Sequence, residues 1–410
     1  MDHDLHGTQT RAVHAGRADL RALGVHAAPI DLSTTYPVGD PEHAADQLDA
    51  WATGAQPDGS PIYARLHNPT VARFEQAMAQ MEGAEAAVAF ASGMGAITAL
   101  LMSLPHERRH VVAVRPLYGG TDHLLCSEAL GMEVTWTTPD AVAEALRPDT
   151  GLILLETPQN PTSSLVDIAA VARAAGGVPV AVDNTYATPV LQQPIACGAS
   201  IVIHSATKAI GGHGDAMGGI VACDEPTAQR LRGMRIATGA VLHPMAAYQL
   251  HRGIQTLPLR VRAMQATATE LASRLALHPA VERVLHPSLP GTDRTGLVGT
   301  QMSGPGSMLA IELRGGGAAA RAFLGAVQLA LHAVSLGSVD TLVQHPASLT
   351  HRVVSEDARE SGGIGESLVR ISVGLEDADD LWRDLSRALD AAEAAVPPVS
   401  VETTAPITHV

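Results

Sequence analysis

The chain has 410 residues, a formal net charge of -15, 46% hydrophobic residues and 17% charged residues. This length is more than one simple core needs, and it suits two domains or one large α/β fold. The acidic balance argues against nucleic acid or an anionic membrane as a partner, since both bind basic surfaces, and no apolar run reaches the 18 residues of a membrane span.

The N-terminal stretch "MDHDLHGTQTRAVHAG" lacks the apolar segment of a secretory signal. Residues 1–60 show little periodicity, and "DLSTTYPVGD" within them is typical of extended chain and turn. The three cysteines, Cys126, Cys197 and Cys223, lie far apart and form no C-x-x-C pair, a pattern of free thiols in a reducing compartment. These features predict a cytoplasmic enzyme with an extended N-terminal arm.

From about residue 69, helical and strand patterns alternate. The stretch "PTVARFEQAMAQME" has apolar residues at helical spacing, and Pro69 suits the first turn of a helix. Further helices are predicted for "GMGAITALLMSL", "TDHLLCSEAL" and "DIAAVARAAG". Short apolar runs predict strands, namely "AAVAF", "HVVAV", "EVTWT", "GLILLE", "PVAVD", "SIVIHSA" and "GGIVAC". Buried strands that alternate with helices indicate an α/β fold with a mostly parallel sheet and helices on both faces.

Near residue 240 the alternation ends. A long helical pattern, "HPMAAYQLHRGIQTLPLRVRAMQATATELASRLALHP", is interrupted by Pro258 and predicts the link to a second, smaller α/β domain. That domain should contain the strands "SMLAIEL" and "LVRISVG", a loop that runs into a helix at "GGGAAARA", and a closing helix, "DADDLWRDLSRALDAAEAA". We therefore place the arm at 1–60, the large domain at 61–255, the C-terminal domain at 256–396 and a disordered tail at 397–410.

One position stands apart chemically. Lys208, in "HSATKAIGGHGDAMGG", is the only lysine in a chain with 26 arginines. Arginine can supply a surface charge, but only lysine offers an amine that loses its proton and attacks a carbonyl. The hypothesis is a lysine that forms a Schiff base. A coding bias toward arginine would explain the arginines, but not which position kept lysine.

Ligands of open α/β sheets bind at the carboxyl ends of the strands. Polar residues follow four of the predicted strands, namely Ser92 to Met94, "ETPQNPT" from Glu156 to Thr162, Asp183 to Thr185, and Ser205 to Lys208. We therefore expect a carboxylate, an amine, hydroxyls and a helix N-terminus to converge at one edge of the sheet.

This set meets the needs of pyridoxal 5'-phosphate (PLP). Its aldehyde needs a lysine, its ring nitrogen needs a carboxylate, and its phosphate needs a helix N-terminus and hydroxyls. The residues assigned to these roles, with an aromatic to stack on the ring, are Lys208, Asp183, Ser92, Gly93, Met94, Ser205, Thr207 and Tyr118.

Each of these residues also has a structural interpretation. Asp183 could cap a turn, the hydroxyls could be ordinary strand-end groups, and "SGMG" could be a plain strand-to-helix turn. Their coincidence at one edge favours the cofactor. Other phosphate-binding motifs are absent, because the sequence has no G-x-x-x-x-G-K-[ST] and Met217 interrupts a G-x-G-x-x-G pattern. No H-E-x-x-H or cysteine-rich pattern predicts a metal site.

The chain resembles the Cys/Met-metabolism (trans-sulfuration) family of fold-type-I PLP enzymes from about residue 8 to 390. The resemblance is carried by a series of motifs in order, namely "YARLHNPT", "ASGMGAI", "LYGGT", "ETPQNP", "VDNTYATP", "HSATKAIGGHGD", "TGAVLHP", "RGIQTLPLR", "SLGSVDTLVQHPASLTH" and "LVRISVGLED". It implies the fold-type-I PLP-dependent transferase fold. It also implies a homotetramer built as a dimer of dimers, in which the N-terminal arm contacts the neighbouring subunit.

The resemblance also implies roles that spacing alone does not supply. Tyr63 and Arg65 would reach the cofactor phosphate from a neighbouring subunit, with Tyr63 also near the substrate. Asn160 would lie near the cofactor O3′. Arg370 would bind the substrate α-carboxylate, a bidentate task suited to guanidinium, and Ser335 would contact the same carboxylate. Tyr118 would act as acid or base beside the leaving group, and Lys208 as the base at Cα.

The expected reaction is γ-elimination on methionine, homocysteine or cystathionine, giving 2-oxobutyrate, ammonia and a thiol. Val334 resembles the apolar residue of methionine γ-lyases, where animal cystathionine γ-lyases carry glutamate. Gly120 and Ile236 depart from the cysteine and aspartate usual in methionine γ-lyases, so selectivity for methionine alone is not implied. Two alternatives remain: a γ-replacement synthase that uses an acylated homoserine, and a catalytically silent relative kept for binding or regulation.

Overall fold

The computed structural model describes residues 6–55, 61–293 and 295–395, so the tail assigned to 397–410 lies outside the described residues. The strands of these ranges are β1 (Ala86–Phe90), β2 (His110–Val114), β3 (Glu133–Thr137), β4 (Thr150–Glu156), β5 (Val180–Asp183), β6 (Ile201–Ser205), β7 (Gly219–Cys223), β8 (Val281–Leu285), β9 (Met308–Leu313), β10 (Leu331–His332), β11 (Leu342–Gln344) and β12 (Leu368–Ser372).

The α-helices of the same ranges lie between and around these strands. They are α1 (Thr8–His14), α2 (Pro41–Ala52), α3 (Pro69–Glu82), α4 (Gly93–Met102), α5 (Gly119–Cys126), α6 (Ile168–Ala174), α7 (Thr188–Leu191), α8 (Glu225–Thr238), α9 (Pro244–Ile254), α10 (Leu257–Leu275), α11 (Gly316–Ala326), α12 (Glu356–Ser361) and α13 (Ala378–Ala394). None of them is long and apolar enough to cross a membrane.

Seven strands form the large sheet, in the order β1-β7-β6-β5-β4-β2-β3. All neighbours from β6 to β3 pair in parallel, and only β7 runs antiparallel to its two partners, β1 and β6. The expectation of a mostly parallel sheet is confirmed. Because β7 runs in reverse, its first residue, Gly219, lies at the same edge as the carboxyl ends of β1, β4, β5 and β6.

Alternate residues of the strands face two helical layers. On one face Val202 and Ile220 pack with Phe74 of α3, and on the other Ile203 and Val221 pack with α4. Successive side chains of a strand point to opposite faces, so each apolar run supplies both cores. This arrangement explains why the strands contain few polar residues before their last position.

A second, smaller sheet follows along the chain, in the order β10-β11-β12-β9-β8. Helix α10 connects the two parts: Leu257 and Val261 belong to the core of the large sheet, whereas Ala268 and Leu271 belong to the core of the small sheet. The long helical pattern predicted as the link consists of two helices, α9 and α10, and the break between them lies around Gln255 and Thr256. The predicted interruption therefore comes two residues before Pro258, because proline occupies the second position of α10.

Two segments differ from expectation. The N-terminal arm is not extended throughout, since it contains α1 and α2. Helix α2 begins where the Asp40 carboxylate accepts hydrogen bonds from two backbone N–H groups and proline takes the first helical position. The loop predicted to run into a helix at "GGGAAARA" is short, since α11 begins already at Gly316. At α2 the aspartate followed by proline is a local start signal within a segment that was expected to be extended.

Candidate active site

A cavity of about 610 Å³ lies at the carboxyl edge of the large sheet. It brings together twelve of the residues that the sequence predicts for the site, namely Ser92, Gly93, Met94, Tyr118, Asn160, Asp183, Ser205, Thr207, Lys208, Val334, Ser335 and Arg370. Most of them follow strand ends of the large sheet. Val334 and Ser335 come from the loop after β10, and Arg370 comes from β12 of the small sheet. The cavity therefore lies between the two sheets.

Helix α4 begins at the cavity wall. Ser92 is its N-cap, and the Ser92 hydroxyl accepts a hydrogen bond from Gly95 N at 3.0 Å. The first N–H groups of a helix have no partner within the helix, so those of Gly93 and Met94 remain for a ligand. A Cβ at Gly93 would lie 2.9 Å from Ser205 Cβ, which shows how closely the two segments approach. These features form a cradle for a phosphate group.

Asp183 is held at the end of β5 by the residue two positions later. Asp183 Oδ1 accepts hydrogen bonds from Thr185 N at 3.0 Å and Thr185 Oγ1 at 2.5 Å. Thr185 Oγ1 also accepts from Ser205 N at 2.9 Å, which ties β5 to β6. Burial raises the pKa of Asp183, while the Thr185 bonds oppose this rise. Because both bonds go to Oδ1, Oδ2 can face a cationic ring nitrogen.

Lys208 lies on the turn after β6. Its Nζ donates to Ser335 Oγ at 2.8 Å. Burial, and next the charge of Arg370, lower the pKa of Lys208 from 10.5 to about 8. About half of the amine is therefore neutral at pH 8, against roughly 0.3% for a free lysine. Ser335 has φ 101, a left-handed backbone conformation that strains a residue other than glycine.

Arg370 of β12 is almost completely buried, at 2% exposure. Its guanidinium donates to Asn160 Oδ1 at 3.1 Å and to the Ser335 carbonyl. Two buried polar atoms beside the cavity, Arg370 Nε and the Tyr186 hydroxyl, make no hydrogen bond of normal geometry among the described residues, although Arg370 is close enough to oppose the rise in the pKa of Tyr186 that burial causes. Buried polar groups are normally paired, so these two indicate where an oxygen-rich ligand, such as a carboxylate, binds.

Glu156, at the end of β4, was not predicted as a site residue. Its two carboxylate oxygens accept hydrogen bonds from Tyr118 N at 2.7 Å and from Asn160 N at 2.9 Å. Burial, reinforced by the nearby charge of Asp183, raises the pKa of Glu156 well above its ordinary value. Glu156 thus sets the position of two predicted site residues at once. Its place at a strand end was the only sequence signal for it.

The mouth of the cavity is apolar. Tyr118 is 40% exposed there. Four further exposed apolar side chains line the same cavity, namely Met217, Val334, Leu349 and Val353. Such a wall suits a thioether or alkyl group and offers nothing to a second charged amino-acid group.

Three predicted residues contribute less directly. The Thr207 hydroxyl donates to Gly218 O and accepts from Gly218 N, so it already bonds the backbone. Tyr63 and Arg65 are not among the residues that line the cavity of their own chain. The Arg65 guanidinium lies 5.6 Å from the centre of the Tyr63 ring and donates to Ile236 O at 2.8 Å. Both side chains are exposed in the single chain.

The donor set of the cavity fits PLP. The α4 N-terminus offers amides for a phosphate, Asp183 offers an acceptor for a protonated ring nitrogen, and Lys208 offers a partly neutral amine for the aldehyde. Tyr118 lines the same space with an aromatic face. In the described ranges no cluster of three or more His, Cys, Asp or Glu side chains could hold a metal ion.

Comparison with known proteins also indicates a PLP-dependent enzyme. The family of Cys/Met metabolism PLP-dependent enzymes matches residues 9–390. An L-methionine γ-lyase of Brevibacterium sandarakinum is 56% identical over 390 residues, which cover 94% of this chain and 98% of that protein.

Solved structures of related proteins share the whole fold. The cystathionine γ-lyase CalE6 of Micromonospora echinospora is 40% identical, with a TM-score of 0.84 over 94% of this chain and 99% of that one. A cystathionine γ-synthase of Xanthomonas oryzae pv. oryzae is 35% identical, with a TM-score of 0.87 over 95% and 100% of the two chains. Because the family match covers residues 9–390, nearly the whole chain, this chain belongs to the Cys/Met metabolism family of PLP-dependent enzymes.

Proposed function

We propose that the chain catalyses γ-elimination on a sulfur-containing L-amino acid, with methionine as the first expected substrate, water as the co-substrate that releases the amino group, and 2-oxobutyrate, ammonia and a thiol as products. One observation carries the proposal: a single cavity combines a low-pKa lysine, a buried arginine with an unpaired Nε, and an apolar mouth. The relative named L-methionine γ-lyase supports methionine as substrate. Homocysteine and cystathionine remain candidates.

Arg370 binds the substrate α-carboxylate in this proposal. Its unpaired Nε and its Nη atoms form a donor face, which Asn160 and the Ser335 carbonyl hold in place. Guanidinium binds carboxylate through two parallel hydrogen bonds, which fix orientation as well as position. Bound this way, the amino acid has its γ-substituent directed toward the apolar wall that includes Val334.

When bound, PLP supplies an aldehyde for amines and a ring that withdraws electrons from the substrate as its protons leave. Lys208 is the base that removes the proton from Cα, because a lowered pKa leaves its Nζ partly neutral near pH 8. Ser335 Oγ, 2.8 Å away, holds Nζ in place. Tyr118, beside the apolar mouth, is placed to give a proton to the leaving sulfur. Asp183 keeps the ring nitrogen protonated.

The same residues would serve a γ-replacement, so an assay must separate the two reactions. Purified enzyme is offered methionine, cystathionine and O-succinylhomoserine, each with and without an added thiol, and 2-oxobutyrate is measured. Formation of 2-oxobutyrate and methanethiol from methionine alone is the expected result. A product that forms only from the acylated homoserine with thiol would indicate a synthase. No turnover of any substrate after reconstitution would indicate a silent relative.

Replacement of Gly120 by alanine is expected to lower kcat/KM for methionine by roughly 3- to 10-fold, because the Tyr118 ring must shift to admit a Cβ, and the cysteine usual at this position in methionine γ-lyases indicates that such a shift is tolerated. A Cβ at residue 120 would lie 2.7 Å from Tyr118 Cε1 and 3.2 Å from Met94 Sδ. The Tyr118 ring is half-exposed and can move, so the melting temperature should change little. Gly233→Ala is the matched control, since nothing lies within 4 Å of its Cβ. Equal kcat/KM in both variants would contradict the role of Tyr118.

The proposed assembly is a cytoplasmic homotetramer in which each cavity is completed by Tyr63 and Arg65 of a neighbouring subunit. Tyr63 is 44% exposed, and neither residue lines the cavity of its own chain. Arg65 would then provide charge for the phosphate that the α4 N-terminus alone does not provide. The N-terminal arm, with the exposed Leu23, Val25 and Leu32, would be the contact surface.

A further inference from the structure

Lys208 lies on residues 206–212, here called the lysine turn. Within it, Gly211 N donates to Ala206 O at 2.9 Å and Gly212 N donates to Lys208 O at 2.8 Å. No backbone N–H of the described residues bonds the carbonyls of Ala209 and Ile210. Two of the turn's carbonyls therefore depend on side chains for their hydrogen bonds.

Arg260 supplies those hydrogen bonds. Its Nη1 donates to Ala209 O at 2.6 Å, and its Nη2 donates to Ile210 O at 3.2 Å and to Gly253 O at 2.7 Å. Its Nε donates to Thr256 Oγ1 at 3.2 Å. One planar guanidinium thus joins the lysine turn to the end of α9 and the start of α10. A lysine would have to meet these carbonyls from a single nitrogen, without the planar fork of separate donors.

None of the four hydrogen bonds that Arg260 makes within the described chain goes to a negatively charged group. The side chain is 5% exposed, and all four bonds within the described chain go to uncharged oxygens. Burial lowers the pKa of Arg260 to about 10, so it stays charged at neutral pH. A buried cation without an anionic partner is costly. A requirement for its geometry would explain its presence.

Two glycines shape the contact. A Cβ at Gly212 would lie 2.1 Å from Arg260 Nη1, and a Cβ at Gly253 would lie 2.2 Å from Ile210 O. Side chains at these positions would push the guanidinium or the helix end away from the turn. The "KAIGG" and "RGIQTLPLR" motifs therefore fit each other across about 50 residues of sequence.

On its opposite side the lysine turn touches the loop that carries Ser335. Val339 N donates to Gly212 O at 2.9 Å, and a Cβ at Gly337 would lie 2.6 Å from Ala209 N. The turn is thus held between α10 and this loop. These contacts fix the backbone that carries Lys208, whose Nζ donates to Ser335 Oγ.

We propose that Arg260 is a positioning residue, which holds the carbonyls of Ala209 and Ile210 so that Lys208 Nζ stays inside the cavity beside Ser335. It acts through the backbone of the lysine turn and touches neither substrate nor cofactor. The proposal rests on the proposed function only in taking Lys208 as the reactive amine.

The test uses the fact that Lys208 is the only lysine of the chain. Full-length protein, freed of cofactor with hydroxylamine, is treated with acetic anhydride at a series of pH values. Mass spectrometry of peptides then gives the labelling rate of Lys208, with the N-terminal amine as internal reference. In the parent protein we expect the rate to be half-maximal near pH 8.

In Arg260→Gln the midpoint is expected to rise by about one pH unit or more. A released turn lets Nζ reach water, which removes the burial that lowers its pKa. One unit corresponds to about a fivefold loss of labelling at pH 8. Reconstituted protein should also bind PLP more weakly in equilibrium dialysis. Arg260→Lys keeps the charge but not the planar fork, so its labelling midpoint should rise by a smaller amount. This variant provides the test if Arg260→Gln does not fold.

Arg232→Gln is the matched control. Arg232 is 7% exposed and its Nε donates to Gly54 O at 2.7 Å, away from the lysine turn. The Arg232→Gln variant should lose thermal stability but keep the midpoint of Lys208 labelling near pH 8. A parental midpoint in the folded Arg260 variants would overturn the positioning role while leaving the proposed reaction intact. A midpoint near 10.5 in the parent itself would show that Nζ is not held inside the cavity, which would also overturn the positioning role, whereas the proposed reaction is judged by its own 2-oxobutyrate assay.

Discussion

Lys208→Arg is expected to abolish γ-elimination, with kcat lowered on the order of 10⁴-fold or more. Arginine keeps the positive charge and a similar length, but its guanidinium does not lose its proton at neutral pH and cannot take a proton from the substrate. The measurement is 2-oxobutyrate formation from methionine by protein reconstituted with PLP. Borohydride reduction should attach the cofactor to the peptide that carries Lys208 in the parent and leave it unattached in the variant.

The smaller variant Lys208→Ala provides the control for this result. It leaves room beside Ser335 Oγ, so added methylamine should restore part of the rate, because a free amine can take the place of Nζ. Methylamine should not help Lys208→Arg, whose side chain fills that space. Turnover at the parental rate in Lys208→Arg would show that another group removes the Cα proton, and the proposed mechanism would be wrong.

Much of the large sheet was predictable because its strands are buried on both faces. Parallel strands covered by helices consist of continuous apolar runs, so the run "AAVAF" coincides with β1. Helix α3 matches its prediction at both ends. Asn68 caps its start, and Gly83, with φ 68, ends it in a conformation that suits glycine. Local signals defined these boundaries without help from tertiary contacts.

The short strands of the small sheet were not predicted. Strands β10 and β11 contain two and three residues, too few to show an alternation of side chains. Strand β10 pairs with β11, and β11 pairs in turn with β12, which follows both in sequence. A pattern confined to one segment cannot show a strand whose stability comes from its neighbours.

The candidate site also contains residues that local patterns predict and residues that they do not. Lys208 and Asp183 were predictable because they follow apolar strands at the edge where ligands of such sheets bind. Glu156 and Arg260 act through backbone groups 38 and 51 residues away, at Tyr118 N and Ala209 O. No local spacing links those positions. Residues that arrange the site were therefore found only from the folded chain.

Asp183→Asn is the second variant for which a large loss is expected, on the order of 10²- to 10³-fold in kcat. Thr185 donates to Oδ1 from both its N–H and its hydroxyl. An asparagine must therefore place its carbonyl oxygen at that position, and its NH₂ group replaces Oδ2. A donor then faces a ring nitrogen that needs an acceptor, so the ring loses its proton and withdraws electrons less strongly.

The control for Asp183→Asn is Asp384→Asn. Asp384 is 7% exposed and accepts hydrogen bonds from the N–H groups of Gln328, Leu329 and Ala330, and none of these four residues lines the cavity. Its replacement should lower the melting temperature without changing kcat per bound PLP. The Asp183→Asn variant should instead have a melting temperature closer to that of the parent but a lower kcat, and it should bind PLP more weakly in equilibrium dialysis. Parental kcat in Asp183→Asn would contradict the assignment of this carboxylate to the ring nitrogen.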